Sequence, residues 1–191
     1  MGKHVEYRPE WVREDFIDFL AEKVNPLWAW KKAKARIVAK HHLSDDFVHM
    51  QLQPNHHFKA TDYQAGQSIL VTVLIAGVRW QRSYSIVEII ENGNLVIAVK
   101  QQGKVSNALT QQPVKSVVEI SQTQGEFVLK TQPHSALMIA SGSGITAIYA
   151  LIKAALKRPQ TVSNIDLIYF TRDDSFHAEL QQLTEHYPQF K

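Results

Sequence analysis

Apolar positions change their period twice along the 191-residue chain. At the N-terminus Val12, Phe16, Phe19, Leu20 and Val24 recur every three to four residues, with Glu14, Asp15, Asp18 and Glu22 between them. This spacing predicts a helix that starts at Pro9, a residue suited to a first helical position, and stops at Asn25-Pro26. Its acidic polar face suits packing on the protein itself or on a partner better than on an anionic bilayer. From Ala33 to about Leu129 the pattern shortens to strands bounded by turn residues. Residues 36–39 and 47–52 form the first pair. Residues 67–75 and 78–86 flank Ala76-Gly77, 88–90 and 95–100 flank Asn92-Gly93, and 117–121 and 126–129 flank Gln124-Gly125. Gly and Asn accept positive φ, so these are hairpin signals, and the segment reads as a meander of antiparallel strands. Five to seven short strands at this spacing favour a closed barrel or a sandwich.

After Pro133 the pattern becomes strand, glycine turn, helix, strand, helix. Residues 136–140 are apolar without alternation, as in a buried parallel strand. Ser141-Gly142-Ser143-Gly144 turns the chain into a helix over 145–156, with Ile148, Ile152 and Leu156 at four-residue spacing and Pro159 beyond its end. Residues 165–170 form a second buried strand and 178–186 another helix. The expected fold is therefore a β-barrel followed by the first βαβα of an α/β unit, organised as a helical extension (1–32), a barrel (33–132) and a partial parallel-sheet domain (133–191). Two strands fall short of the five or six that such a sheet usually needs, so the second domain is expected to be incomplete.

Composition narrows the chemistry. With 21 Lys+Arg against 18 Asp+Glu, 45% hydrophobic and 20% charged residues, the chain is an ordinary globular one. The absence of Cys excludes a disulfide framework, a zinc ribbon, a Cys nucleophile and a thiolate-ligated cluster, so redox chemistry here needs a borrowed cofactor. The pI is near 9.0, but the basic residues are scattered. Their one cluster, Lys31, Lys32, Lys34 and Arg36, adjoins the acidic segment, and nucleic acid is not an expected partner. No apolar run reaches the ~18 residues of a membrane span and no signal peptide opens the chain, so the expected location is cytoplasmic. His41-His42 and His56-His57 alternate between strand faces without acidic or thiol partners, and no metal is expected. Trp11, Trp28, Trp30 and Trp80 read as core or docking aromatics. Ser143 stands one residue off the Gly-x-Ser-x-Gly elbow of a serine hydrolase.

Three segments can carry chemistry. Gly142-x-Gly144-x-x-Ala147 follows a strand and opens a helix, which suits a dinucleotide pyrophosphate on the helix N-terminus or a plain βα turn without ligand. No Lys-Ser/Thr follows, so it is not a P-loop. The next strand ends in Thr171-Arg172-Asp173-Asp174, offering a cation for the extra phosphate of NADP and acids for the ribose of NAD. Arg172 comes first, which leans to NADP. In Arg82-Ser83-Tyr84-Ser85 alternation places Arg82 and Tyr84 on one face, where a cation and a ring can jointly engage a phosphorylated aromatic cofactor. In Gly103-Lys104-Val105-Ser106-Asn107, Ser106 is the expected N-cap of a short helix, whose free N–H groups suit a further phosphate oxygen.

In this order the segments resemble the ferredoxin–NADP reductase superfamily of FAD-dependent reductases. Arg82-Ser83-Tyr84-Ser85 resembles its Arg-x-Tyr-Ser flavin signature, Gly103 to Ser106 its second FAD phosphate loop, and Gly125-Glu126-Phe127 the turn closing its barrel. Ser141-Gly142-Ser143-Gly144-Ile145-Thr146 resembles the Gly-Gly-x-Gly-Ile-Thr opening of its nucleotide domain, with Ser141 and Ala147 in place of the commoner Gly and Pro. Thr171 to Asp174, followed by Glu179-Leu180, resembles its next landmark. The leading helix and Asn25-Pro26-Leu27-Trp28 resemble the extension of bacterial hybrid reductases that serve fatty-acid desaturases.

The resemblance implies a six-stranded antiparallel flavin-binding barrel followed by the first half of a nucleotide-binding domain. It implies that FAD takes electrons from NADPH or NADH and passes them to an iron–sulfur acceptor, either a ferredoxin or a fused [2Fe-2S] domain. Arg82 would pair with the FAD pyrophosphate, with Ser83 beside it in the signature. Tyr84 would pack on the isoalloxazine or bond the ribityl chain, and Ser85 would approach flavin N5. Val99 and Lys100 would contact the cofactor through their backbone. Gly103, Lys104, Val105 and Ser106 would hold FAD phosphate. Gly142, Ser143, Gly144, Ile145 and Thr146 would hold the NAD(P)H pyrophosphate, with Thr146 near both rings, and Thr171 and Arg172 would meet the nucleotide beyond. The family's Cys-Gly-Pro motif and [2Fe-2S] domain are not in this sequence, which leaves a flavin module without independent turnover as the alternative reading.

Overall fold

The computed structural model describes residues 20, 23–28, 31–131, 134–157 and 162–191. Apart from Leu20, Lys23 and Val24, the predicted leading helix lies outside them. Six strands close an antiparallel barrel: β1 (Lys34–His42), β2 (Phe47–Pro54), β3 (Ser68–Ile75), β4 (Val78–Ile89), β5 (Leu95–Lys100) and β6 (Val117–Ile120). Alternation builds its interior, since Val48, Met50 and Leu52 of β2, Ile69, Val71 and Val73 of β3, and Leu95, Ile97 and Val99 of β5 all point inward and are buried. Each such side chain contributes about 1.5–3 kcal/mol by leaving water. The hairpin tips use left-handed backbone, with Ala76 at φ +51° and Gly77 at φ +75° between β3 and β4, and Gly93 at φ +79° between β4 and β5.

The strand order around the barrel is β1-β2-β5-β4-β3-β6, which corrects the expected meander. Strands β3, β4 and β5 follow one another, but β2 pairs with β5, and β6 returns between β1 and β3. Hydrophobic period reveals which face of a strand is buried and not which neighbour it takes. Residues 78–86 and 88–90 do not form two strands. Residues 78–89 belong to the single β4, whose register slips between Ile86 and Glu88 as a bulge, and Ile90 lies beyond its end. Residues 126–129 form no strand; Gln124 makes one bridge to Ser68, and Gly125, at φ +108°, turns the chain away.

A short helix α1 (Lys104–Gln111) follows β5 and packs near β3, β4 and β5. Beyond the barrel, β7 (Ser135–Ser141) and β8 (Asn164–Phe170) pair in parallel, joined by α2 (Ile145–Leu156), and α3 (His177–His186) follows. Residues 189–191 bond to the free edge of β8 through Ile165 and Leu167. A second core joins this unit to the outer wall of the barrel: Phe47, Val87 and Ala98 pack with Ile148, Ile152, Ile165 and Phe176. Both faces of β5 are therefore buried at Ile97 and Ala98, which explains its almost continuous apolar run.

Candidate functional site

β4 pairs with β3 along its length, from Val78↔Ile75 to Ser85↔Ser68, but meets β5 only from Ile86 onward. The wall is thus split beside residues 79–85. Ser68 and Leu70 turn their backbone groups toward the chain around β6: Ser68 exchanges hydrogen bonds with Gln124 (2.9 Å each way), and Leu70 N–H donates to Ser121 Oγ (2.9 Å). Antiparallel alternation then assigns Ile69 and Val71 to exchange with Tyr84 and Arg82, and aims the backbone N–H and C=O of Ser83 and Ser85 into the split.

A cavity of about 330 Å³ lies there. Arg82, Ser83, Tyr84 and Ser85 line one side, and Lys100, Gly103, Lys104, Val105 and Ser106 line another. Ser143 and Thr146 enter from the glycine turn and first turn of α2. Eleven of the expected residues thus meet in one space although they come from three separate stretches of chain. Val99 does not line it; its side chain is in the barrel core, and its neighbours Ala98 and Lys100 flank the cavity instead. Gly142, Gly144 and Ile145 lie behind Ser143 in the turn, with Ile145 fully buried, and Thr171 and Arg172 are exposed outside the cavity. The sequence reading misses Trp80, Ala98 and Gln102, which complete the wall. Trp80 had a signal, since it shares the parity of Arg82 and Tyr84 along β4.

The cavity suits an anion with rings attached. Three cations, Arg82, Lys100 and Lys104, line it, and none of its described lining residues is acidic. The Arg82 guanidinium donates only to the Gln81 carbonyl (2.8 Å) among the described contacts, leaving further donors on its fork. Gly103, not Ser106, caps α1. The Gln102 and Gly103 N–H groups donate to Ser106 Oγ (3.2 and 3.1 Å), and that hydroxyl donates to the Gly103 carbonyl (3.1 Å). Ser106 thereby shapes the loop, and the first-turn N–H groups of Lys104 and Val105 have no intrahelical acceptor. A Cβ at Gly103 or Gly144 would meet nothing within 4 Å, so the fold itself does not demand glycine there, and its absence of side chain keeps the surface open. Gly142, at φ +51°, is required by the turn. Thr146 Oγ1 donates to the Ser143 carbonyl (2.9 Å) and fixes that turn.

Two buried polar atoms in the cavity wall have no hydrogen-bond partner: the Tyr84 hydroxyl and Trp80 Nε1. Burial pushes the Tyr84 phenol up to about 12 against the opposing pull of Arg82, so it remains a neutral donor. Lys100 reaches out of the site to Asp173 (3.0 Å) and Asp46 (3.4 Å). Burial alone would lower its pKa; the two carboxylates outweigh that and raise it. Hydrogen bonds from Ser175, together with Lys100, hold the Asp173 carboxyl at about 2. The Ser44 and Ser175 hydroxyls bond at 2.8 Å beside this pair, fastening the loop after β8 to the barrel.

These residues fit an extended, phosphorylated, aromatic cofactor, and the comparisons agree. Residues 34–129 match the oxidoreductase FAD-binding domain family, and the chain belongs to it, within the ferredoxin–NADP reductase superfamily. It is 28% identical over 177 residues to a flavohemoprotein of Burkholderia sp. (strain TH2), covering 89% of this chain and 44% of that one. It is 30% identical over 179 residues to an NADPH oxidoreductase of Mycobacterium tuberculosis, covering 87% and 46%. Flavohemoglobin from Malassezia yamatoensis, solved with bound FAD and heme, shares the fold at a TM-score of 0.75 and 22% identity, covering 84% of this chain and 44% of that one. The chain spans about half the length of the curated relatives it matches. FAD is the cofactor of the family.

Proposed function

We propose that the chain is the flavin-binding half of an NAD(P)H-dependent reductase that feeds a one-electron acceptor such as a ferredoxin or a [2Fe-2S] domain. One observation carries this reading: Arg82, Tyr84 and Ser85 of the barrel share a cavity with Ser143 and Thr146 of the glycine turn, so a flavin site and a nucleotide turn face the same space. Bound FAD supplies the chemistry, accepting a hydride and releasing electrons singly. The chain's residues bind and orient. Arg82, Lys104 and the first turn of α1 neutralise the diphosphate. Tyr84 offers a ring and a free hydroxyl to the flavin end. Ser83 and Ser85 offer backbone groups along the split, and Thr146 holds the turn that a nicotinamide nucleotide would approach.

For the donor we favour NADPH. Asp173, the acid nearest Arg172, is already engaged by Lys100 and Ser175, whereas Arg172 is exposed and available to a 2′-phosphate. For the acceptor, kinship with the Burkholderia flavohemoprotein makes heme the competitor to an iron–sulfur centre. A second reading, a flavin module that turns over only with further polypeptide, draws on Leu137, Ile139, Ile168 and Phe170, which leave one face of the parallel sheet exposed where such sheets are normally covered on both.

The test is an absorption spectrum of the FAD-loaded chain during anaerobic addition of NADPH and then NADH. Bleaching of the flavin band near roughly 450 nm supports the reductase. Subsequent reoxidation by a [2Fe-2S] ferredoxin, but not by a heme protein, supports the acceptor. A bound flavin that stays oxidised supports the module reading.

A further inference from the structure

The loop between β8 and α3, residues 171–176, carries Arg172 and is held to the barrel at two points. One is polar and runs through Lys100, Asp173, Ser175 and Ser44. The other is Phe176, which is fully buried although its backbone is left-handed at φ +65°. A bulky residue keeps that conformation only where its surroundings over-determine it. Three rings do so here. Phe47 and His49 of β2 meet the Phe176 ring edge-on at centroid distances of 5.8 and 5.5 Å, and Tyr149 of α2 meets it at 5.3 Å. Phe176 thus plugs a socket that the barrel and the second unit build together. Of the three rings only His49 can change charge near neutral pH. Its Nε2 is buried without a hydrogen-bond partner. His41 of β1 is its cross-strand neighbour, Ala98 stands opposite on β5, and the charges of Lys153 from α2 and Glu88 from β4 reach it. Glu88 is already paired by Lys153 and Lys157, and Lys100 of β5 lies over the Phe47 ring at 5.3 Å.

We infer that Phe176 and His49 are positioning residues for the nucleotide side of the site: they latch the Arg172 loop to the barrel while His49 is neutral, and acid opens the latch. The inference rests on the reductase reading above. An imidazolium carries a proton on both nitrogens, so Nε2 becomes a donor in a place that offers it no acceptor. It also faces the cations of His41 and Lys153, and burial and those charges hold His49 near 4 against an ordinary 6.5. The charged ring is better solvated outside the socket. Its departure removes one wall from around Phe176, and the left-handed backbone, no longer over-determined, relaxes and lifts the loop from Ser44. Arg172 then loses its fixed place beside the glycine turn, while the Arg82 to Ser85 wall of the cavity is untouched.

The experiment is amide hydrogen exchange of the FAD-loaded full chain between pH 7.5 and 5, corrected for the intrinsic pH dependence of exchange, in wild type, His49→Phe and Phe176→Leu. The Ser175 and His177 amides report the loop, and the Met50 amide in β2 reports global unfolding. In wild type the two loop amides should be less protected than Met50, insensitive to low urea, and about thirtyfold less protected at pH 5 than at pH 7.5. That factor is the difference in protonation between groups titrating at 6.5 and at about 4. His49→Phe should abolish the pH dependence, and Phe176→Leu should leave the loop open at both pH values. Steady-state kinetics with NADPH gives the second readout: KM should rise toward pH 5 at least about threefold more in wild type than in His49→Phe, with kcat within about twofold. Titration of the nucleotide itself is common to both proteins and cancels in that ratio. Loop amides that exchange only together with Met50 would overturn the latch, as would an equal fall in protection in His49→Phe. An opening loop with equal KM profiles would overturn the positioning role. A flavin that NADPH never reduces would overturn the reductase reading and the positioning role with it, while the exchange data still decide whether the latch exists.

Discussion

Gly66 lies in the turn before β3 at φ +92°, and a Cβ built there would fall 1.9 Å from the Phe127 carbonyl oxygen and 3.0 Å from Leu151 Cδ2. Three segments meet at this glycine: the entry to β3, the turn leaving the barrel, and α2 of the second unit. Gly66→Ala therefore has two costs. An L-residue in the left-handed region costs about 1–2 kcal/mol, and displacing a backbone oxygen in a packed junction costs about 1–3 kcal/mol more. The expected loss is about 2–5 kcal/mol, or roughly 2–4 °C in Tm for each kcal/mol at this chain length. Gly77→Ala is the control, because Gly77 has φ +75° and open space around it and should lose only the backbone contribution. Guanidinium denaturation of the two variants beside the wild type measures both, with constant m required for the comparison. A Gly66→Ala loss equal to that of Gly77→Ala would refute the close-approach reasoning. A loss under about 0.5 kcal/mol would refute the strain as well.

Arg82→Met should weaken FAD binding by about tenfold to a hundredfold, the worth of charge-assisted bonds to a diphosphate, and Arg82→Lys should recover part of it; equilibrium dialysis checks both. His49 is held near 4 by burial, then by the His41 and Lys153 charges, against an ordinary 6.5. The unfolded chain thus takes up a proton that the folded one refuses. Stability should be full above pH 6.5 and fall by up to about 3 kcal/mol as pH drops to 4, a slope that His49→Phe should flatten in denaturation curves. Asp173 is lowered from 3.8 to about 2, so its contribution is present above pH 3.8 and lost toward pH 2. Asp173→Asn should cost about 1 kcal/mol at neutral pH and nothing at pH 2. Arg172→Ala should raise the KM for NADPH about tenfold while sparing NADH; equal effects would count against a 2′-phosphate contact.

Much of the barrel is legible because one face of each strand must be apolar and each hairpin tip needs a residue that tolerates positive φ. Val48, Met50 and Leu52 announce β2, and Asn92-Gly93 announces the turn into β5. The pairing of β2 with β5 joins residues as far apart as Phe47 and Lys100, which no local period encodes. The apolar residues of 126–129 resemble a strand, yet that segment passes Gly66 as a turn because Gly125 redirects it. In the site, the Arg82 to Ser85 signature is readable since its spacing alone places cation and ring on one face. Ser106 is not, because a hydroxyl three residues inside the helix satisfies the loop that a cap would ordinarily serve. The engagement of Asp173 by Lys100, 73 positions earlier, decides which residues near Arg172 remain available, and only the folded chain reveals it.

The split between β4 and β5 has a consequence for how the protein is made. Ser83 and Ser85 present a short row of strand backbone that no neighbouring strand receives, the kind of edge that recruits other chains. A dinucleotide held along that row, as proposed, would act as a surrogate strand. Ligand that binds only the folded state adds stability in proportion to the logarithm of its concentration over Kd, about 2.7 kcal/mol at a hundredfold excess. With FAD held as proposed, flavin supply would govern the yield of soluble protein as well as its colour, and cells starved of riboflavin should accumulate this chain as aggregate while its transcript stays level.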